Sequence, residues 1–173
     1  MKFTEKTINK NYIFKGKILS LRKDDVALLD GTTSIREIVE HSGGSCIYCE
    51  KDDCVYLVKQ FRYAYGEEIW ELPAGKLEKG EDPMVTAIRE LEEEAGLKAN
   101  SVSLMFEVYP TPGYTNEIIR VYKAEGITET QRHLDQGEFL EGEWIPKEQL
   151  KQMIKSGEIK DGKTLIALLS ELK

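Results

Sequence analysis

Apolar residues in the first part of the chain fall into short runs that alternate with polar residues, a pattern typical of β-strands. These runs are residues 17–21, 26–29 and 34–39. The turns between them are predicted at Asp24-Asp25 and Asp30-Gly31. This pattern predicts a small antiparallel β module over residues 1–41. Such a module is too short to bury a large core alone, so we expect it to pack against the rest of the chain or a second subunit.

The remaining residues, 42–173, alternate predicted strands with helices and so predict a separate α/β domain. The predicted strands are residues 45–49, 55–60, 106–109 and 118–124, and the predicted late helices are residues 146–155 and 163–172. The first two strands flank a polar turn from Glu50 to Asp53, which predicts a hairpin.

One amphipathic helix has clear signals at both ends. Asp82 can act as the N-cap, Pro83 suits the first helical position, and Gly96 can end the helix in a left-handed conformation. Its apolar residues recur at helical spacing and predict a buried stripe: Met84, Ala87, Ile88, Leu91 and Ala95. The sequence therefore predicts that the helix packs this face against the core.

Three glutamates share a flank of this helix, namely Glu90, Glu93 and Glu94. At spacings of three and four residues their Cβ atoms lie about 5–6 Å apart, so the carboxylates repel one another unless a cation binds them. Crowded carboxylates suit Mg²⁺ or Mn²⁺, which bind and polarise phosphates. The alternative interpretation is an acidic, solvated helix face.

Composition permits an enzyme of small phosphorylated substrates. The 173 residues carry a formal charge of −7 and are 40% hydrophobic, which argues against a nucleic-acid-binding surface and suits one compact domain with a small appendage. We expect no membrane partner, because no apolar run approaches the roughly 20 residues that span a bilayer. The first ten residues lack the apolar core of a secretory signal, so we expect a cytoplasmic protein.

The three cysteines are Cys46, Cys49 and Cys54, and the first two form a C-x-x-C pair. A zinc site usually needs four ligands, and the two histidines of the chain are widely separated. We therefore expect reduced, buried thiols.

The region around the amphipathic helix contains a longer pattern of fixed spacings. Its nine specified positions within 23 residues are Gly75, Glu81, Arg89, Glu90, Leu91, Glu93, Glu94, Gly96 and Leu97. This pattern resembles the Nudix box of the Nudix hydrolase family. The resemblance implies an α/β/α sandwich with a mixed sheet, and metal-activated hydrolysis of a nucleoside diphosphate linked to another moiety.

The resemblance also implies roles within the box. It makes Glu90 and Glu94 the leading metal ligands, Glu93 a further ligand or catalytic group, and the carbonyl of Ala74 a backbone ligand for two or three Mg²⁺ ions. Arg89 is a further candidate catalytic residue. Together with Glu81, it would orient the helix and the preceding loop.

Residues outside the box resemble the ADP-ribose pyrophosphatase subfamily. Before the box, Arg62 ends a predicted strand, and its guanidinium can grip a phosphate with two hydrogen bonds; a surface salt bridge is the alternative role. After the box, Pro112 lies in a rigid loop that in the subfamily faces the substrate, although the loop can also be only a turn. Glu117 is a candidate for hydrogen bonding to the ribose or nucleotide.

The N-terminal module supplies weaker candidates. In the family it commonly completes the pocket of a partner subunit, so the resemblance implies a homodimer. Arg36 is a candidate phosphate ligand, and Tyr12 or Phe14 can stack on adenine unless they pack in a core.

A late acidic loop supplies the candidate base. The resemblance favours Glu138 as the residue that accepts a proton from water, with Asp135 or a glutamate of the box as the alternatives. Gln136 and Gly137 stand where more acidic versions of this loop carry carboxylates, which leaves the identity of the base open. A solvated acidic loop is the alternative interpretation.

The leading function implied by the resemblance is hydrolysis of ADP-ribose to AMP and ribose 5-phosphate. GDP-mannose or another nucleoside diphosphate sugar is the alternative substrate, and the Pro112 loop disfavours a nucleoside triphosphate. An alternative of another class is a non-catalytic Nudix module that senses a ligand. The intact carboxylates argue against it, because a protein without catalysis has no need for like charges at repelling distances.

Overall fold

The computed structural model describes residues 3–172, and within them the chain forms twelve strands and three helices. The strands are β1 Lys6–Lys15, β2 Leu19–Ala27, β3 Thr33–His41, β4 Gly44–Lys51, β5 Cys54–Arg62, β6 Glu67–Glu71, β7 Ala74–Lys76, β8 Leu97–Lys98, β9 Ser101–Val108, β10 Ile119–Glu125, β11 Thr128–Glu129 and β12 Leu140–Pro146. The helices are α1 Pro83–Ala95, α2 Lys147–Ser156 and α3 Gly162–Glu171. No helix of this described part is long and apolar enough to cross a membrane.

Backbone contacts group the chain into two units. The first unit contains the residues up to Gly43 together with Tyr109–Ile118, and the second contains Gly44–Val108 and the residues from Ile119 onward. The segment Tyr109–Ile118 joins the first unit through β3. There the Val39 N–H donates to the Tyr114 carbonyl at 2.8 Å, and the Asn116 N–H donates to the Val39 carbonyl at 3.2 Å.

The first unit is a three-stranded antiparallel sheet in the order β1-β2-β3. The predicted turn at Asp24-Asp25 is wrong, because β2 runs through both residues and joins the two runs that the sequence separated. Asp24 is buried and Arg22, two residues away on the same strand face, pairs with it at 3.0 Å. This ion pair lets a charged residue lie inside a strand. The turn predicted at Asp30-Gly31 is present, with Gly31 at φ +84°.

The second unit is built on a mixed sheet in the order β12-β5-β4-β10-β9, with β6 paired to β5 and β7 paired to β4. Strands β4 and β10 are parallel, and the other pairs are antiparallel, so the predicted mixed sheet is confirmed. The predicted β4–β5 hairpin is also present. Its central residues Asp52 and Asp53 both have positive φ, as a two-residue type I′ turn requires.

Side chains that alternate along β4 face two separate cores. Cys46 and Tyr48 pack in a core that includes Leu150 of α2 and Leu168 of α3, whereas Ile47 and Cys49 pack in a core that includes Leu91 of α1. Helices therefore cover both faces of the sheet, which confirms the α/β/α sandwich.

All three cysteines are free thiols, and Cys46 and Cys49 are fully buried. These two residues of the C-x-x-C pair belong to different cores, on opposite faces of the sheet. They are therefore not arranged to share a metal ion.

The ends of α1 follow the sequence signals. The Asp82 carboxylate accepts a hydrogen bond from the Met84 N–H at 2.8 Å, and Pro83 is the first helical residue. Gly96 has φ +64° and donates its N–H to the Glu92 carbonyl. A side chain at Gly96 would also press against the backbone of Thr130 and Arg132, so glycine is required there for two reasons.

Candidate active site

The candidate site begins where α1 packs against strand β7. Glu90 and Glu94 of α1 are both buried, with 7% and 3% of their surface exposed. A Cβ atom added to Gly75 would lie 1.7 Å from Oε1 of Glu90, so any side chain there would displace this carboxylate from its position against the β7 backbone. The first glycine of the box therefore forms a cradle for the first glutamate of the helix.

The second buried carboxylate is held by the same strand. Oε2 of Glu94 accepts a hydrogen bond from the Ala74 N–H at 2.9 Å, so the backbone of Ala74 lies next to Glu94. Burial, with a smaller contribution from the charges of Glu90 and Glu138 and against the hydrogen bond from Ala74, raises the pKa of Glu94 to about 8. The pKa of Glu90 rises to about 7, mainly through burial and against the opposing charge of Arg89.

Arg89 organises the acidic residues around it. Its Nη1 donates to Glu90 at 2.8 Å and to Glu93 at 2.7 Å, while its Nε donates to Glu81 at 3.2 Å. The hydrogen bond from Arg89 is the main cause that lowers the pKa of Glu81 to about 2. Arg89 therefore ties the loop before α1 to the helix.

The residues present fit a divalent cation. In residues 3–172 no three acidic, histidine or cysteine side chains already converge as a metal site, and Arg89 contacts two of the candidate carboxylates. Glu94, however, accepts a backbone hydrogen bond and forms no ion pair within that same range. Glu90, seated in the Gly75 cradle, and Glu94 are buried carboxylates, and carboxylate oxygens are the hard donors that divalent cations of this kind prefer.

The acidic loop lies near these carboxylates. The His133 N–H donates to the Glu93 carbonyl at 3.2 Å, which attaches the start of the loop to α1. The charge of Glu138 helps to raise the pKa of both Glu90 and Glu94, so its carboxylate lies within electrostatic reach of the buried pair. The Asp135 N–H donates to Oε2 of Glu138 at 3.3 Å, while the Asp135 side chain is exposed.

Arg62, at the end of β5, forms a partly buried ion pair. Its Nε and Nη2 donate to the two oxygens of Glu71 at 2.5 and 2.7 Å, and Lys163 of α3 donates to the same carboxylate at 2.5 Å. Arg62 lines a cavity of about 340 Å³ together with residues that include Tyr65 and Lys160. The charge of Arg62 also lowers the pKa of Glu94, which brings Arg62 into the same electrostatic environment as the carboxylates of α1.

The other predicted substrate ligands belong to the first unit. Tyr12 and Phe14 are both about half exposed, so neither packs in a core. Arg36 pairs with Glu5 and donates to the Ser34 hydroxyl at 3.1 Å.

Pro112 and Glu117 lie in the segment Tyr109–Ile118 of this unit. Pro112 is exposed, and the carboxylate of Glu117 lies 3.2 Å from Nδ1 of His41. Their contacts with substrate remain predictions.

Two charged residues beside Arg62 were missed by sequence reasoning, namely Glu71 and Lys163. Glu71 is the more informative, since it is a carboxylate in the apolar run from Ile69 to Leu72. A charged residue in a buried strand requires a partner, and that signal could have indicated a buried ion pair. Nothing local in the sequence identifies Lys163, 92 residues away, as one of the partners.

Comparisons with known proteins identify the families and relatives that the chain resembles. Residues 40–168 match the family model described as NUDIX domain, and residues 5–39 match the model described as Nucleoside diphosphate sugar hydrolase N-terminal domain. The chain is 42% identical to the ADP-ribose pyrophosphatase of Bacillus subtilis (strain 168), over 95% of this chain and 90% of that relative. It is also 42% identical to the methanol dehydrogenase activator of Bacillus methanolicus, over 96% and 91% of the two chains.

A solved structure described as an ADP compounds hydrolase superposes on the chain with a TM-score of 0.85. The superposition covers 98% of this chain and 93% of that one. At 17% identity this likeness shows the fold alone.

Proposed function

The chain belongs to the Nudix hydrolase family, and we propose that it hydrolyses the pyrophosphate bond of ADP-ribose to AMP and ribose 5-phosphate. Members of this family generally require a divalent metal ion. We propose Mg²⁺ as the ion, with Mn²⁺ as the alternative.

The observation that carries this proposal is the buried pair Glu90 and Glu94 beside Gly75. These two carboxylates, with Glu93 and the Ala74 carbonyl, would hold the cation. When bound, the cation would offset the negative charge that develops on the phosphate oxygens and favour ionisation of water. Arg89 keeps Glu90 and Glu93 in place beside Glu81, so a substitution of Arg89 would disturb the whole donor set.

The chain's own residues supply the remaining steps. Arg62 would donate hydrogen bonds to a phosphate and hold the pyrophosphate near Glu94. Glu138 would accept a proton as the oxygen of water bonds to phosphorus and the bond from that phosphorus to the bridging oxygen breaks. Its negative charge beside the buried pair supports this assignment over Asp135, whose side chain is exposed.

The substrate class is supported by the N-terminal residues 5–39, which match the domain named for nucleoside diphosphate sugar hydrolases, and by the Bacillus subtilis relative. The proposed contacts of Tyr12, Arg36, Pro112 and Glu117 with substrate are predictions that single alanine variants test. A variant that binds ADP-ribose more weakly but unfolds at the same temperature as the wild type would support the contact of that residue.

A substrate panel tests the proposed function. The purified protein with Mg²⁺ is incubated with ADP-ribose, GDP-mannose, dinucleoside polyphosphates and dGTP, and products are separated by chromatography. We expect AMP and ribose 5-phosphate from ADP-ribose as the fastest reaction. Faster cleavage of GDP-mannose would move the assignment to another nucleoside diphosphate sugar, and turnover of none would favour a ligand-sensing module.

We also propose that the protein is a homodimer that forms through the first unit. All ten residues of β1 are exposed, and among residues 3–172 β1 is the edge of its sheet with only β2 as a neighbour. Large apolar side chains are exposed along this unit, among them Ile8, Ile13, Phe14, Ile18 and Ile35. A strand with one unpaired edge, in a unit that exposes large apolar side chains, is a surface that proteins usually cover.

The dimer is tested by light scattering coupled to size-exclusion chromatography. The wild-type protein should have twice the chain mass of 19.7 kDa, and Ile13→Lys should lower the measured mass towards that of the monomer. A monomeric wild type at micromolar concentration would contradict this proposal.

We place the reaction in the cytoplasm. The chain keeps its three cysteines as free thiols, which is typical of a reducing compartment. Fractionation of the source cells with an antibody to the protein tests this location.

A further inference from the structure

A buried carboxylate lies between two cations of the second unit. Glu71 is 3% exposed, and its two oxygens accept hydrogen bonds from Nε and Nη2 of Arg62. One of these oxygens also accepts from Nζ of Lys163 at 2.5 Å. A bidentate pair of this kind holds the plane of a guanidinium group. Glu71 therefore determines how Arg62 is presented.

Lys163 is itself anchored at the start of α3. Its Nζ lies 3.0 Å from Oδ2 of Asp161, the N-cap residue of the helix. The same Oδ2 accepts from the backbone N–H and the hydroxyl of Thr164 at 3.0 and 2.6 Å. Oγ1 of Thr164 in turn accepts from the Leu72 N–H at 2.9 Å. The first turn of α3 thus holds both the side chain of Glu71 and the backbone that follows it.

The charges show why Glu71 needs Lys163 as well as Arg62. Burial raises the pKa of Glu71, but the hydrogen bond from Arg62 and the charge of Lys163 outweigh burial and keep that pKa below its usual range. If Lys163 is removed, the buried carboxylate of Glu71 keeps the half-exposed Arg62 as its cationic partner. With one cationic partner, the Glu71 carboxylate can rotate and take up a proton more easily. Arg62 would then no longer donate to an acceptor that is held in a fixed position.

Arg62 keeps one nitrogen for another ligand. Within residues 3–172, its Nη1 forms no hydrogen bond, whereas Nε and Nη2 are both engaged by Glu71. The Arg62 side chain lines the cavity of about 340 Å³. The pair with Glu71 therefore leaves Nη1 as the donor that an incoming phosphate can use.

We propose that Lys163 is a positioning residue for the substrate, which acts through Glu71 to orient the guanidinium of Arg62 for a phosphate of the nucleoside diphosphate sugar. This inference rests on the proposed function, because it takes Arg62 as a ligand of the substrate. The Nζ of Lys163 is already engaged by Glu71 and Asp161, so in this proposal Lys163 acts through Glu71 and not on the phosphate itself. The competing explanation is that Lys163 only stabilises the packing of α3.

A double-mutant cycle on ligand binding separates these explanations. The probe is an analogue of ADP-ribose in which a methylene group replaces the bridging oxygen, so water cannot cleave it. Its dissociation constant is measured by calorimetry with Mg²⁺ for the wild type, Arg62→Ala, Lys163→Met and the double variant. We expect Lys163→Met alone to weaken binding roughly tenfold, the size of one charged hydrogen bond.

The double variant gives the decisive comparison. If Lys163 acts through Arg62, Lys163→Met weakens binding no further once Arg62 is alanine, and Lys163→Arg restores much of the affinity of the wild type. Equal weakening by Lys163→Met in both backgrounds would overturn the proposal. Unchanged binding in Lys163→Met or in Arg62→Ala, or no binding of the analogue by the wild type, would overturn it as well.

Lys123→Met is the matched control. Lys123 of β10 pairs with Glu171 at the other end of α3 at 2.6 Å, so this variant also removes an ion pair of the helix. It should lower the unfolding temperature while binding stays unchanged, and equal weakening by Lys123→Met would show a merely structural effect. If Lys163→Met does not fold, Lys163→Gln replaces it in the cycle.

Turnover is measured separately on ADP-ribose itself. A wild type that binds the analogue with the expected coupling but hydrolyses no nucleotide sugar would refute the proposed function and leave the role of Lys163 intact. Hydrolysis of a nucleotide sugar by the wild type, with independent effects of Lys163→Met and Arg62→Ala on binding, would support the proposed function and refute the role of Lys163.

Discussion

Replacement of Gly75 by alanine tests whether the cradle beside Glu90 is essential. The new Cβ would lie 1.7 Å from Oε1 of Glu90, whereas unbonded carbon and oxygen atoms stay about 3 Å apart, so the carboxylate must move by more than about 1 Å. A misplacement of about 1 Å in a catalytic group can reduce the rate by about 100-fold. We therefore expect kcat to fall by about 100-fold.

The fold should tolerate this change. The φ angle of Gly75 is not positive, and the atoms that the new methyl group would meet belong to the end of a flexible side chain. We therefore expect only a small loss in the free energy of unfolding, measured with urea. Release of AMP from ADP-ribose at saturating Mg²⁺ gives kcat.

Gly157→Ala is the control for general destabilisation. Gly157 ends α2 with φ +77°, and no atom of the described part of the chain lies within 4 Å of the position of an added Cβ. Alanine there should cost about 1–2 kcal/mol of stability through its left-handed conformation and leave kcat unchanged. Turnover near the wild-type rate in Gly75→Ala would refute the cradle as a feature of the active site.

Three further predictions concern the acidic residues. Glu94→Gln should leave unfolding by urea nearly unchanged and reduce kcat by at least ~100-fold, and near-normal turnover would contradict its role as a ligand. Glu138→Gln should reduce turnover more than Mg²⁺ affinity in calorimetry, and equal losses would make Glu138 chiefly a ligand. The hydrogen bond from Arg89 is the main cause that lowers the pKa of Glu81 from 4.5 to about 2, so the stability from this pair is complete above pH 4.5 and lost as the pH falls towards 2. Arg89→Met should therefore flatten this acid-induced fall in Tm, and an unchanged slope would contradict the pairing.

The features predicted best from sequence are those with local physical causes. The ends of α1 follow from Asp82, Pro83 and Gly96, because capping depends on residues next to one another in the chain. The β4–β5 hairpin follows from two short apolar runs around a polar turn. The spacing of the box brought Glu90 and Glu94 to one face of one helix, and both are buried together there.

The strands of the first unit were predicted less well. Strand β1 was missed because its ten residues are all exposed, so no buried face imposes an alternating pattern on it. Strand β2 was divided at Asp24-Asp25, because the compensating charge of Arg22 is visible only when the strand face is known. Exposed strands and paired charges therefore limit what periodicity alone can show.

Long-range contacts were beyond sequence reasoning. Arg62 was identified as a cation at the end of a strand, but its pairing with Glu71 and the link to Lys163 depend on how α3 packs on the sheet. The function of Gly75 as a cradle likewise depends on the approach of α1 to β7. These contacts join segments that are distant in the chain and carry no local signal.

The most direct test of the proposed hydrolysis is product analysis of ADP-ribose incubated with the wild-type protein and Mg²⁺. We expect equimolar AMP and ribose 5-phosphate, with product formation abolished when a chelator removes the metal. Intact ADP-ribose after prolonged incubation, or cleavage that continues in the presence of the chelator, would contradict it.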